Sequence, residues 1–216
     1  MNKIVITSIF ILPLLAENLK DKDLVVKITE DIPYITTINS GKKIIVKRIQ
    51  DTNNRLTDDY SKTSRPCPPF CIQPTKVADG VKNIAELELL SFMQNEVPTG
   101  KGVVVDARLK SWFDIETIPS AINIPFPVIQ NASREKAKKI FQILGMKVKA
   151  NGDWDFSNAK KLAVFCNGIW CGQSGHFIHG MIAHGYPRDK ILYYRGGFQG
   201  WKLLGLTTVV HKEIKK

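Results

Sequence analysis

A run of apolar residues, Leu162, Ala163, Val164 and Phe165, stops at Cys166, and the loop Asn167-Gly168-Ile169-Trp170-Cys171-Gly172 comes after it. Beyond Ser174 the period changes. Phe177, Ile178, Met181 and Ile182 recur at offsets of one, three and four, which predicts one face of a helix. Gly185 stands where such a helix would stop. A short apolar strand, a tight loop and a helix are the units of a layered α/β fold with a parallel sheet, and few other folds accommodate them.

This order places Cys166 at the carboxyl end of a strand, facing the N-terminus of a helix. Helix N-termini and successive loop N–H groups favour negative charge. A thiol held there is drawn toward thiolate, the nucleophilic form. The same cradle would hold an anionic substrate or a persulfide. A buried, inert cysteine is the alternative.

The rest of the chain repeats the pattern. Val103, Val104 and Val105 form a fully apolar strand that ends in Asp106-Ala107-Arg108, and Ala121 to Ile124 form a second. Residues 133–144 predict a helix with Ala137, Ile140, Phe141 and Leu144 on one face, and residues 84–93 another, with Ile84, Leu87, Leu90 and Met93 spaced three apart. Ile191 to Tyr194 predict a further strand, ending in Arg195-Gly196-Gly197. Ligands of such sheets bind at the carboxyl ends of strands. The N-terminal part reads differently. Leu24 to Ile28, Tyr34 to Ile38 and Lys43 to Ile49 predict strands, the last two joined at the turn Asn39-Ser40-Gly41-Lys42 into a hairpin outside the main sheet. Residues 50–65 turn polar and predict a loop or linker.

The segment Arg65-Pro66-Cys67-Pro68-Pro69-Phe70-Cys71-Ile72-Gln73-Pro74 is too rich in proline for a helix. Cys67 and Cys71 can pair if the turn brings their Cα atoms within reach. The rigid backbone favours a structural staple between the N-terminal piece and the later part of the chain, and a second redox site is the alternative. The other two cysteines are Cys166 and Cys171. Spacings of four and five do not match the two-residue knuckles of zinc sites, so no metal and no cofactor are expected. Histidines 176, 179 and 184 lack the i, i+4 pairing of zinc helices and predict a solvated face. Trp170 either lines a pocket or packs over the loop, and Trp201 predicts core.

The chain of 216 residues is long enough for one domain with an appendage. Its net charge of +11 attracts anions, but the lysines are scattered and no nucleic-acid motif is present, so nucleic acid is not an expected partner. Residues 1–16 resemble an export signal, with Lys3 before an apolar stretch from Ile4 to Ala16. Cleavage after Ala16 fits, although Leu14 is a poor match to a small residue. An uncleaved anchor or a buried strand is the alternative. No later run is long enough to span a membrane. The expected organisation is a signal at 1–16, a β-rich region with the Pro/Cys loop at 17–76, the α/β domain at 77–209 and a basic tail at 210–216. The expected location is outside the cytoplasm, in the periplasm.

Three separated stretches resemble one family. Val103-Val104-Val105-Asp106-Ala107-Arg108 with Ile118-Pro119-Ser120-Ala121-Ile122-Asn123-Ile124-Pro125 is similar to the opening signature of rhodanese-like domains. Cys166 stands at the position of that family's catalytic cysteine. Arg195-Gly196-Gly197-Phe198-Gln199-Gly200-Trp201, with Gly205-Leu206 after it, resembles the closing motif. The chain looks most like exported members with a Cys-Pro-Pro-Phe-Cys-Ile-Gln-Pro stretch before the domain. The resemblance implies a three-layer domain around a mainly parallel sheet. It also implies a sulfurtransferase that moves sulfane sulfur from a donor such as thiosulfate to a thiol or cyanide-like acceptor. Cys166 would carry the sulfur as a persulfide, cradled by the N–H groups of Asn167, Gly168, Ile169, Trp170, Cys171 and Gly172. Asp106 and Arg108 would support the site.

Departures from the family pattern matter. The path from Cys166 to Gly185 is longer than in ordinary members, so the loop is wider. It holds no arginine or lysine, and it contains a second cysteine, Cys171. Thr117 replaces a common histidine and Ser120 a common glycine. Two other functions are therefore kept: a thiol–disulfide or persulfide redox protein in which Cys171 resolves Cys166, and a non-catalytic binding module. Retention of Cys166 argues against the module.

Overall fold

The structure is a computed structural model and describes residues 24–211. The expected signal with its cleavage after Ala16, and Lys212 to Lys216 of the tail, lie outside the described residues.

The described chain opens with a hairpin, β1 (Tyr34–Asn39) and β2 (Lys42–Lys47). Next come β3 (Lys82–Ile84), α1 (Glu86–Asn95), β4 (Gly102–Asp106), α2 (Lys110–Phe113), β5 (Glu116–Thr117) and β6 (Ala121–Asn123). Then α3 (Pro127–Gln130), α4 (Arg134–Ile143), β7 (Lys147–Val148) and β8 (Trp154–Asp155) lead to β9 (Lys161–Phe165). The chain continues through α5 (Gln173–Ala183), β10 (Ile191–Tyr194), α6 (Gly197–Leu203) and β11 (Val209–Val210). Five strands form a parallel sheet in the order β3-β10-β9-β4-β6. This is the α/β layout that the apolar strands require.

The reason for unbroken apolar runs is visible in the core. Along β9, Leu162 and Val164 face one hydrophobic cluster, and Ala163 and Phe165 face the other. On the first side lie Ile129 of α3, Ala137 and Phe141 of α4, and Phe177, Ile178 and Met181 of α5. On the second lie Leu89, Leu90, Phe92 and Met93 of α1, with Phe198 and Trp201 of α6. Both sheet faces are dry, so neither strand face carries a polar alternation. Trp201 is fully buried, as expected, and its Nε1 donates to the Thr207 carbonyl at 2.9 Å. Gly185 ends α5 with φ +91, a conformation that favours glycine.

Three sequence expectations need correction. Leu24 to Ile28 form no strand. The side chain of Gln50 satisfies this backbone instead, accepting from Val26 N at 3.1 Å and donating to Val26 O at 2.9 Å. In α1 the buried face is Leu89, Leu90, Phe92 and Met93, while Leu87 is 51% exposed. A spacing of three drifts around a helix, and the adjacent pairs carry the burial. Ile84 belongs to the edge strand β3, which three residues were too short to announce.

The hairpin forms its own two-stranded sheet, as expected, yet it shares the core of the main domain. Ile35 and Val46 sit in the same cluster as Phe165 and Trp201. Thr37 is buried, and its hydroxyl donates to the Met93 carbonyl at 2.6 Å, in the last turn of α1. Ser120 has φ 68, where glycine is the easier residue, and its N–H donates to Asn39 Oδ1 at 2.9 Å. The hairpin thus holds Ser120 in its left-handed conformation. Thr37→Val keeps the shape but strips the Met93 carbonyl of this partner. It should lower stability by about 1–3 kcal/mol, read as an earlier midpoint in urea with one cooperative transition. An unchanged midpoint would show that the hairpin is not part of the cooperative unit.

Candidate active site

The site lies where β4 and β9 end side by side, with Asp106 opposite Phe165 in register. Cys166 comes directly after Phe165 and is 2% exposed. The loop of 167–172 closes on itself through Cys171 N, which donates to Gly168 O at 2.9 Å, and α5 begins beyond Gly172. From the other side, Phe198 N and Gln199 N at the start of α6 donate to the carbonyls of Cys166 and Asn167, both at 2.8 Å. Gly197 permits this approach. It has φ +61, and a Cβ there would lie 2.6 Å from both Cys166 O and Gly168 N.

The two thiols are free and buried, and they sit on one loop. Cys166 Sγ donates to Cys171 O at 2.9 Å and lies 3.0 Å from Ser174 Oγ. Burial pushes the Cys166 thiol well above its ordinary value, and the neighbouring Cys171 side chain raises it further. Cys171 moves the other way. The neighbouring Cys166 side chain outweighs burial, and the N–H groups of Asn167 and Gln173 add to it, so Cys171 falls to about 7. The sequence places the Cys166 sulfur where N–H groups converge. In the structure those of Asn167 and Gln173 converge on Cys171, while Cys166 receives that of Ser174.

Asp106 and Arg108 form a buried ion pair beside this loop, 0% and 1% exposed. Arg108 Nε meets Asp106 Oδ1 and Oδ2 at 2.9 and 3.0 Å, and Nη2 meets Oδ2 at 2.6 Å. Thr117 Oγ1 donates to the same carboxylate at 2.7 Å. Burial works against the guanidinium charge, but the bonds to Asp106 outweigh it and raise the Arg108 pKa. The remaining Arg108 nitrogen, Nη1, donates to the Tyr60 hydroxyl at 2.9 Å.

Tyr60 is the residue that sequence reasoning missed. It lies in the polar stretch read as a linker, yet it is only 6% exposed. Its hydroxyl donates to Asn167 Oδ1 at 2.8 Å, and Asn167 Nδ2 lies 3.8 Å from Cys171 Sγ. Gln199 Nε2 donates to the Tyr60 carbonyl at 2.7 Å, and Gln199 Oε1 accepts from Trp170 Nε1 at 2.7 Å. Ser174 was also missed, although its place at the helix start was the available signal.

The Pro/Cys segment covers the loop from outside. Cys67 and Cys71 are disulfide-bonded, with Cα atoms 4.7 Å apart. Their bond closes a small local loop, so it does not itself tie the N-terminal piece to the domain. Neighbouring groups do that. Gln73 N donates to Ile169 O at 2.8 Å, and Arg195 Nη2 holds the Gln73 carbonyl at 2.7 Å. Phe70 meets Trp170 edge-on at 5.5 Å, and the Arg65 guanidinium lies 3.9 Å from the Trp170 ring centre. Trp170 therefore both packs over the loop and lines the neighbouring cavity of about 640 Å³, which also meets Ile169, Tyr60, Arg55, Lys62 and Lys202. Cations that the loop lacks reach this cavity from elsewhere. Lys202 is already paired with Asp58 and Glu116, at 2.5 and 2.6 Å. His176 faces Gln130 and Phe126, and His179 bonds the Gly175 carbonyl, so the helix histidines do not converge on one point.

The chain matches the rhodanese-like domain family over residues 88–204. It belongs to that family. No curated protein matches it. Among solved structures, a human single-domain sulfurtransferase is 19% identical, with 57% of this chain and 96% of that chain covered and a TM-score of 0.38. A single-domain sulfurtransferase from Saccharomyces cerevisiae is 21% identical, covering 58% of this chain and 91% of its own, with a TM-score of 0.39. An As-Sb reductase from Leishmania major is 21% identical, covering 58% and 79%, with a TM-score of 0.40.

This geometry has two testable outcomes. Gly197→Ala should destabilise the protein by more than about 1 kcal/mol, because its φ is wrong for alanine and the added carbon meets backbone; wild-type stability in urea would contradict this. Alkylation of unfolded, unreduced protein should label two of the four cysteines, Cys166 and Cys171. Labelling of Cys67 and Cys71 would rule out their bond.

Proposed function

We propose that this protein is a sulfurtransferase that carries a sulfane sulfur as a persulfide on Cys166. The observation that carries the reading is the pair of free, buried thiols on one loop at the carboxyl end of β9, a loop whose carbonyls are clamped by α6. With thiosulfate as donor, the Cys166 sulfur bonds to the outer sulfur, the sulfur–sulfur bond of the donor breaks, and sulfite leaves with that electron pair. The Cys171 thiolate, in contact with the Cys166 thiol, accepts its proton as the bond forms. A thiol or cyanide acceptor then attacks the outer sulfur and returns the Cys166 thiolate. The local Cys67–Cys71 disulfide supports a place outside the cytoplasm, where such bonds persist.

A second reading is favoured by one observation, the lower pKa of Cys171. In it Cys171 attacks the donor, and Cys166 then displaces sulfide from the Cys171 persulfide. The product is a Cys166–Cys171 disulfide, and each cycle consumes an external thiol reductant.

Mass spectrometry of peptides after thiosulfate treatment separates these. One added sulfur is expected on Cys166 in the wild-type protein and in Cys171→Ser, with none in Cys166→Ser. Sulfur on Cys171 in Cys166→Ser would install the second reading, and no added sulfur on either would sink the sulfurtransferase. The pH dependence is a further check. The Cys171 thiolate is populated above about 7 and protonated below it. Loading should therefore rise through that pH and level off, and in Cys171→Ser this step should vanish.

A further inference from the structure

The hydrogen-bond directions around Tyr60 are fixed by proton count. Arg108 Nη1 can only donate, so the Tyr60 oxygen accepts from it. The single phenolic proton must then go to Asn167, and the acceptor there is Oδ1. This settles the Asn167 amide. With Oδ1 held by Tyr60, the Nδ2 group is the one that faces Cys171 Sγ at 3.8 Å. An asparagine alone could present either end to sulfur. Here it presents the donor, the end that suits an anion.

We propose that Tyr60 is a positioning residue for the thiol chemistry, fixing the Asn167 amide so that Nδ2 donates to the Cys171 sulfur and stabilises its anion. The proposal rests on the reading of this loop as the sulfur-transfer site. The anion is the proton acceptor for Cys166 in the first reading above and the nucleophile in the second, so Tyr60 serves either. The chain contributes this residue from outside the matched family segment of 88–204. It is held firmly. Tyr60 N donates to Asp58 Oδ1 at 3.0 Å, its carbonyl accepts from Gln199, and its ring stands edge-on to Phe198 at 5.2 Å. The donor therefore arrives pre-aligned, with no side-chain freedom left to lose as charge develops.

Other groups near the thiol pair do not mimic this effect. Tyr193 of β10 is pushed up to about 12 by burial and stays neutral while Cys171 titrates. Tyr60 is raised beyond that, also by burial, and Arg108 stays charged. Arg195 is bound to the Gln73 carbonyl, and Gln173 contributes its backbone N–H. Cys166 is the one other thiol, and it is removed in the test.

In the Cys166→Ser protein, ultraviolet thiolate absorbance against pH reads Cys171 alone. Adding Tyr60→Phe keeps the ring and deletes the hydroxyl. It should move the Cys171 midpoint up by about one pH unit, a tenfold fall in the ratio of thiolate to thiol at a given pH. Asn167→Ala cuts the same chain from the other end and should move it as far, and the two changes together should move it no further. A midpoint unmoved by either variant overturns the proposal. So does a Tyr60→Phe shift that persists in full without Asn167, since the hydroxyl would then act by another route. The titration needs no sulfur donor. A shift seen in a protein that never loads sulfur would sink the sulfurtransferase and keep this proposal, while loading with an unmoved midpoint would do the reverse.

Discussion

The ion pair of Asp106 and Arg108 is the constraint on which the site depends. A guanidinium with 1% exposure is tolerable only when paired and hydrogen-bonded. Every nitrogen of Arg108 is engaged, by Asp106, by the Glu116 carbonyl at 2.6 Å and by Tyr60. Each partner comes from a different stretch, so satisfying one charge fixes the end of β4, the start of β5 and the N-terminal segment together. Asn123 of β6 adds a clamp, donating to the carbonyls of Asp106 and Arg108, both at 2.9 Å. Loss of one ionic partner would leave a buried charge, at a cost of about 3–5 kcal/mol.

From that fixed point the two cysteines diverge. They share one loop and nearly the same burial, yet their neighbours differ in kind. Cys166 meets a carbonyl and a hydroxyl, which accept a proton or share one, and a single backbone N–H, that of Ser174. Cys171 meets donors: two backbone N–H groups and the Asn167 amide. Burial alone would disfavour charge on both, so the donors decide which thiol ionises. The loop makes this division possible, because Cys171 N donates to Gly168 O and Cys171 O accepts from Cys166 Sγ, both at 2.9 Å, which sets Cys171 beside Cys166.

The fold was legible because it rests on period and punctuation. Val103 to Val105 and Leu162 to Phe165 are buried on both faces, and no amphipathic pattern blurred them. Asp106 and Arg108 were joined to Cys166 in the sequence only through the family resemblance; the structure puts the ends of their strands, β4 and β9, side by side. The strand β3 escaped notice because three residues carry no period. Leu24 to Ile28 misled because β-branched composition says nothing about a partner, and Gln50 supplies one without a ladder. Tyr60 was illegible for a deeper reason. Its neighbours Asp58, Asp59 and Ser61 are exposed and polar, and nothing local reports a contact with Asn167, 107 residues away. Only tertiary structure brings them together.

A loop with no cation of its own raises the question of what stabilises its anion. Arg108 is the nearest fixed charge in the chain of contacts, but Asp106 neutralises it at 2.6 Å. Two opposite charges that close present only a dipole to more distant groups, and its field falls quickly. Direct Coulomb attraction to Cys171 is therefore weak compared with a local donor bond to a charged sulfur, which contributes about 1.5–3 kcal/mol. What Arg108 transmits is direction. It dictates the Tyr60 proton, which dictates the Asn167 amide, and a low-dielectric chain of such bonds polarises along its length. The working unit of this site accordingly begins well before the family match at residue 88. Ile35, Val46 and Tyr60 belong to the same core as Cys166 and Cys171. A segment that the sequence presents as an appendage supplies part of the wall, and the orientation of the donor, for the thiol pair.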